Sequence, residues 1–359
     1  MNKATARLLV ERCLSRFSDV GLPQLEASSI QDVRIKPIAT LWAGMGQVYD
    51  VTIMTAAGPP TSIVAKQVQM PRRCTSIGDQ RKKDSYDVEA AFYSRGHAER
   101  LAAAGCAEPL PLYVDTSQAD GVTICMTKLE GQRGCRGETD AFVEWLAHLH
   151  ATYWGPRADA ACAEDMGGGL QPQGCYWHLD TRPDEHKRMG NSGWMGRLKL
   201  AARAIDLRLK ADPLQSVCHG DAKGANIMYT STEDGKAVPL VYDFQYCGKA
   251  AVTKDLAYFF NVEAYPSAKE ELRLLALYHQ TLSGLLEAQG DAPPSWEALA
   301  TSLELALCDW RRFTEIGLGG WGDESATARV KRVLDRLDKG KALESEQAYI
   351  EAMQQEFPI

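Results

Sequence analysis

The sequence predicts an α+β protein in two parts, a small β-rich N-terminal lobe over residues 1–130 and a larger helical C-terminal lobe over 131–359. Three observations predict it. Between positions 33 and 70, β-rich runs are separated by Gly44-Met45-Gly46 and Gly58-Pro59-Pro60, the pattern of an antiparallel meander. A helical pattern from Ser85 to Ala104 then leads into two further strand-like runs, so the strands connect locally. Beyond the glycine- and charge-rich stretch Glu130–Thr139, apolar residues recur mostly at helical spacing.

In chain order, residues 4–18 open with Leu8, Leu9, Val10, Cys13, Leu14 and Phe17 on one helical face. The runs IKPIATLWAG, QVYDVTIMTA and SIVAKQVQM supply the meander, and PLYVD and VTICMTKL the later strands. The C-terminal part predicts helices over Asp140–Thr152, Met195–Lys210, Lys254–Val262, Lys269–Glu287, Ser295–Ile316 and Glu344–Gln355. Two short strands, NIMYT and VPLVYDF, interrupt them, and Ala158–Gly174 reads as a small-residue loop.

Composition narrows the function. With 47 acidic against 40 basic residues the net charge is -7, which argues against a nucleic-acid binder. The clusters Arg72-Arg73 and Arg81-Lys82-Lys83 are short and read as solvated faces. No apolar run approaches the roughly 20 residues that a membrane span needs. Ten scattered cysteines, without Cys-x-x-Cys and without an export signal, point to reduced thiols and a cytoplasmic location.

The densest chemistry is His219-Gly220-Asp221-Ala222-Lys223-Gly224-Ala225-Asn226, followed by Asp243-Phe244-Gln245 at the end of an apolar strand. Phosphoryl transfer calls for such a set: a proton acceptor beside the attacking hydroxyl, and oxygen donors for the cation that neutralises the triphosphate. Asp221 suits the proton acceptor, Asn226 and Asp243 suit Mg²⁺, and Lys223 suits the charge on the transferring group. His219 reads as a loop-ordering residue.

The same chemistry asks for phosphate-binding groups in the N-terminal lobe. The turn containing Gly44 and Gly46 joins two strands, which by itself is no more than a hairpin. Lys66 interrupts a β-run, where lysines usually face solvent; here it is the natural cation for the α- and β-phosphates. Glu89, on a helical face with Phe92 and Tyr93, is its best partner, with Asp87 the alternative.

These motifs, with Asp255-Leu256-Ala257-Tyr258-Phe259 shortly after, resemble the ecdysteroid kinase-like (CHK kinase-like) family. That family lies in the choline kinase and aminoglycoside phosphotransferase branch of the protein kinase-like superfamily. YWHLDTRPDE at Tyr176–Glu185 and CDWRRF at Cys308–Phe313 add to the likeness, which covers Leu41 to Gly322. The resemblance implies a bilobal protein kinase-like fold, with ATP between the lobes, Mg²⁺ as cofactor and a small-molecule alcohol as acceptor. It places Lys66 and Glu89 as the phosphate-anchoring pair, and the adenine beside Met126, Thr127 and Leu129. The glycine turn lacks the full Gly-x-Gly-x-x-Gly, and the short stretch after Asp243 leaves no room for a protein-kinase activation loop. Two other readings are a choline, ethanolamine or aminoglycoside kinase proper, and a silent pseudokinase that only binds. Trp177, Trp310, Trp321, Asp309 and Asp323 are the residues that a quaternary ammonium site would draw on.

Overall fold

The structure, a computed structural model, describes residues 1–41, 44–56, 58–70, 76–117, 121–133, 138–317 and 324–359. Arg72-Arg73 and the Trp42-Ala43 portion of the glycine turn lie outside them, as do Trp321 and Asp323. The chain divides into two compact units, residues 1–132 with 228–245, and residues 133–227 with 246–359. The sequence reading sets one boundary near 130; the excursion of 228–245 into the first unit is not visible in composition.

The first unit is built on a five-stranded antiparallel sheet in the order β1-β2-β3-β5-β4. Its strands are β1 (Ile30–Thr40), β2 (Gly46–Thr55), β3 (Thr61–Gln69), β4 (Pro111–Asp115) and β5 (Gly121–Thr127). The predicted meander is β1 to β3, paired antiparallel throughout. The leading helix α1 (Lys3–Cys13) buries Ala6, Leu9, Val10 and Cys13 against Val33, Val51, Ile53, Ile63 and Ala65. Because successive strand side chains point to opposite faces, Ala65 faces this core and Lys66 faces the other side of the sheet.

The predicted helix Ser85–Ala104 is two helices, α2 (Ile77–Ser94) and α3 (His97–Ala103). They are separated by Gly96, whose φ of 78° no helix interior accommodates. Ser76 caps α2 by accepting from the Asp79 N–H at 3.0 Å, so the helix begins well before its apolar face does.

Between α3 and β4, Glu108 is 6% exposed, and neither of its carboxylate oxygens has a hydrogen-bond partner among the described residues. Burial, with Glu99 nearby, pushes its carboxyl up to about 9. An acid raised in the folded state stabilises fully below its unfolded value, and that stability is lost as pH climbs toward the folded value. Glu108→Gln should therefore raise the thermal midpoint at pH 8 and leave it nearly unchanged at pH 5. Equal shifts at both pH values in calorimetry would show that Glu108 is ionised in the folded protein.

The second unit is mainly helical. It contains α4 (Thr139–Thr152), α5 (Pro156–Cys162), α6 (Pro183–Arg188), α7 (Gly193–Lys210), α8 (Thr253–Phe259), α9 (Ala268–Gln289), α10 (Trp296–Gly317), α11 (Glu324–Asp338) and α12 (Glu346–Glu356). Short β6 (Gln132–Arg133), β8 (Ile227–Ser231) and β9 (Ala237–Val241) form one small sheet, which lies mostly in the 228–245 stretch of the first unit. A second sheet pairs β7 (Gln215–Cys218) antiparallel with β10 (Gly248–Ala251). The Ala158–Gly174 stretch, expected as a loop, begins inside α5. The expected helix ending at Val262 leaves α-geometry at Phe259 and continues as a π-turn over Phe260–Ala264. Among the described residues no helix is long and apolar enough to cross a membrane.

Candidate active site

In the first unit, three residues far apart in sequence meet. Lys66 is 5% exposed on β3, between Val48 of β2 and Ile124 of β5. Its Nζ lies 2.6 Å from Glu89 Oε2 and 3.2 Å from Asp243 Oδ1. Glu89 sits on the buried face of α2 with Tyr86, Phe92 and Tyr93, whereas Asp87 is exposed, so the helix itself settles which acid meets the lysine.

Asp243 follows β9 with φ 71°, a left-handed conformation that costs a non-glycine residue about 1 kcal/mol or more. Phe244 holds it there. Its buried ring stacks on Phe92 of α2 with centroids 3.8 Å apart and planes 8° from parallel. Gln245 adds a side-chain hydrogen bond to Glu89. The Asp-Phe-Gln turn is thereby fastened to the helix that carries Glu89.

Burial alone would lower the Lys66 ammonium, but Asp243 and Glu89 outweigh it and make the proton harder to remove. Burial pushes the Glu89 carboxyl up to about 7 against the pull of Lys66, and Asp243 adds to the rise. Two carboxylates thus share one ammonium, and the cluster carries an excess of negative charge. The Asp243 side chain is 33% exposed, so this charge is open to a cation from solvent.

Gly44 and Gly46 stand at φ 70° and 138°, and a Cβ at Gly46 would overlap the Gln67 carbonyl of β3. The turn is closed by Leu41 N–H to Gly46 O at 2.9 Å and Gln69 N–H to Met45 O at 2.8 Å. Met126 and Thr127 end β5. Met126 is buried, while Thr127 Oγ1 accepts from the Leu110 N–H at 2.9 Å. Leu129 is half-buried just beyond the strand.

In the second unit, the 219–226 loop hangs from one buried carboxylate. Asp255 of α8 accepts the backbone N–H groups of His219 at 2.6 Å and Gly220 at 2.9 Å. His150 Nε2 lies 3.3 Å from the same carboxylate, and His150 Nδ1 lies 2.7 Å from the Tyr278 hydroxyl. Burial alone would raise the Asp255 carboxyl, but His150 and the loop N–H groups hold it low. The ligand atoms of His150, Cys218 and Asp255 lie within 4.8 Å of one another. Since the carboxylate already receives two backbone N–H groups, the cluster reads as a loop anchor. His219 Nδ1 accepts from the Asp221 N–H at 3.3 Å, which leaves the ring a structural part of the turn.

Asp221 is 4% exposed. Its Oδ1 accepts from Tyr258 Oη at 2.8 Å, and its Oδ2 accepts from Lys223 Nζ at 2.9 Å and Asn226 Nδ2 at 3.0 Å. Asn226 Nδ2 also reaches the Asp221 carbonyl at 2.9 Å, so the amide nitrogen faces Asp221 and its oxygen is turned the other way. That oxygen is a donor atom suited to a hard cation. Glu263, on the π-turn, accepts the Gly224 N–H at 2.9 Å and lies where a Cβ at 224 would stand.

The sequence reading misses Asp255 and Tyr258 as partners of the loop, although Asp255-Leu256-Ala257-Tyr258 puts both on one helical face. It leaves open whether Trp177, Trp310 and Asp309 line a pocket. All three are at most 1% exposed. Lys254 Nζ stands 4.1 Å above the Trp177 ring and 2.9 Å from Asp309 Oδ2. Arg312 Nη2 binds Asp309 Oδ1 at 2.6 Å and the Trp177 carbonyl at 2.7 Å. Lys254, a cation of the protein itself, thus occupies the Trp177 face.

Residues 196–290 match the Ecdysteroid kinase-like family. No curated protein matches the chain in sequence. Among solved structures, it is similar to the amicoumacin kinase hAmiN, determined with AMP-PNP, Ca²⁺ and Ami, at 13% identity and TM-score 0.48, over 84% of this chain and 87% of that one. Choline kinase LicA from Streptococcus pneumoniae aligns at 14% identity and TM-score 0.42, over 91% and 98%. The aminoglycoside phosphotransferase APH(3'')-Id from Streptomyces rimosus, with ADP and streptomycin, aligns at 16% identity and TM-score 0.40, over 77% and 92%. The stretch 196–290 that matches the ecdysteroid kinase-like family carries Asp221, Asn226, Asp243 and Asp255.

Proposed function

We propose that the protein is an ATP-dependent phosphotransferase that moves the γ-phosphoryl group of ATP to a hydroxyl of a small molecule. The observation that carries this reading is the meeting of Lys66 with Glu89 and Asp243, across 23 and 177 positions of sequence. A buried lysine held by one buried and one half-open acid has little use as a surface charge. It is well made for binding phosphate oxygens next to a cation.

In this reading, Asp221 accepts the proton of the attacking hydroxyl, and Lys223 offsets charge on the transferring group. Lys66, positioned by Glu89, holds the α- and β-phosphates. The turn at Gly44 and Gly46 contributes backbone near them, and the end of β5 with Met126, Thr127 and Leu129 receives the adenine. Asp243 and Asn226 fit Mg²⁺ by donor chemistry, a carboxylate in a cluster of excess negative charge and an outward amide oxygen. Bound there, Mg²⁺ would neutralise phosphate charge. The burial of Trp177 and Asp309 against Lys254 speaks against these two residues receiving a choline-like acceptor. Purified protein with ATP and Mg²⁺ should release ADP only when a hydroxylated acceptor is added and lose that release with EDTA; acceptor-independent ADP would make it a hydrolase instead.

A further inference from the structure

Tyr176 and Tyr258 belong to two motifs, YWHLDTRPDE and DLAYF, whose phenols have no part in the roles assigned above. We propose that Tyr258 is a positioning residue for Asp221 and that Tyr176 orients Tyr258, the two phenols forming a directed hydrogen-bond chain that fixes the plane of the Asp221 carboxylate. The proposal rests on the reading of Asp221 as the proton acceptor.

The direction of the chain follows from counting protons. Tyr258 Oη is 2.8 Å from Asp221 Oδ1 and gives its single proton there. Tyr176 Oη is 2.9 Å from Tyr258 Oη, so Tyr176 must be the donor of that second bond. Lys223 and Asn226 hold Oδ2 of the same carboxylate. Donors on both oxygens leave the Asp221 side chain no freedom to turn, as in-line attack on a phosphoryl group requires.

Both phenols are themselves rigidly mounted. The Tyr258 ring is 3% exposed and meets Trp310 edge-on at 4.8 Å. It also lies 6.3 Å from Trp177, nearly parallel to it. The Lys254–Asp309–Arg312 network fixes Trp177 through its ring face and carbonyl, which gives that buried ion cluster a purpose. Tyr176 follows Cys175, a buried non-glycine residue at φ 70°. Such strain persists only where the surroundings over-determine it, and functional sites are where it gathers. The Cys175 N–H bonds the Tyr246 carbonyl at 3.1 Å, and Thr181 Oγ1 bonds the Tyr176 carbonyl at 2.9 Å. Together they aim the Tyr176 phenol at Tyr258.

Phenylalanine variants test this, because they keep the packing and remove only the oxygens. Tyr258→Phe should lower kcat about ten- to a hundredfold, the worth of a hydrogen bond to a charged group, with KM for ATP unchanged. Tyr176→Phe should lower kcat less, and the double variant should be no slower than Tyr258→Phe, since Tyr176 acts through Tyr258. Wild-type kcat in Tyr258→Phe, or losses that multiply in the double variant, would overturn the proposal. A second readout needs no turnover. The buried Tyr258 hydroxyl should give a slowly exchanging proton NMR signal, absent in Tyr258→Phe and displaced in Tyr176→Phe and Asp221→Asn. A missing signal, or one that neither variant displaces, also overturns the chain. Wild-type protein that forms no ADP with any acceptor would instead sink the phosphotransfer reading, with the hydroxyl signal still deciding the chain.

Discussion

Asp221→Asn should cut acceptor-dependent ADP formation by about 10²–10⁴-fold, the usual contribution of a positioned proton acceptor. The substitution is isosteric, so the fold should hold. The amide oxygen can still accept from Tyr258, but its NH₂ then faces the Lys223 and Asn226 donors, so the thermal midpoint should fall by a few degrees. KM for ATP should also hold, because the groups assigned to the phosphates, Lys66, Glu89 and Asp243, lie in the other unit. Steady-state kinetics with circular dichroism on the same preparation checks all three. Turnover within a few-fold of wild type would remove Asp221 from the mechanism and leave Tyr258, Lys223 and Asn226, which hold its carboxylate, without a catalytic reason.

Lys66→Met should be damaging twice over. Loss of the phosphate-binding cation should lower kcat/KM for ATP by about 10²–10³-fold, the scale for removing one preorganised donor. It also leaves Glu89 and Asp243 facing each other without an ammonium, where breaking a buried pair costs about 3–5 kcal/mol. That second loss should depend on pH. Glu89 already stands at about 7 beside Lys66, and without the lysine its carboxyl rises further. An acid raised in the folded state loses stability as pH climbs from its unfolded value through its folded one. Lys66→Met should therefore be most destabilised relative to wild type at pH 8 and least at pH 5, as read from urea midpoints. A deficit independent of pH would mean that Glu89 is not the group left unpaired.

The parts of the fold and site that were legible in the sequence are those in which the physics is local. The meander is written in two glycine turns between β-branched runs. Glu89 is separated from Asp87 by its position relative to Phe92 and Tyr93, a matter of one helix face. Asp221, Lys223 and Asn226 meet because they share one short loop. Helix α11 was equally legible: Ala326, Val330, Val333, Leu334 and Leu337 are buried at helical spacing, and the sequence reading passes over it.

Partnerships that only the folded chain creates are of another kind. Asp255 holds His219 from 36 residues away, and Tyr176 reaches Tyr258 across 82. No spacing rule signals either bond. The tryptophans illustrate the same limit, since a Trp beside an Asp reads equally as a ligand cage or as core. The choice falls to Lys254 and Arg312, whose buried charges need Asp309 and the Trp177 face and carbonyl for themselves. The break between α2 and α3 depends on Gly96, a residue that a helix tolerates at moderate cost unless the chain must turn there.

The most direct test is ³¹P NMR of the purified protein with ATP, Mg²⁺ and a panel of hydroxylated small molecules: choline, ethanolamine, aminoglycosides and ecdysteroids. The account predicts a new phosphomonoester resonance that grows in step with ADP, for at least one acceptor, and that is absent with Asp221→Asn. No bound nucleotide and no phosphomonoester with any of them, from protein that is folded, would contradict it.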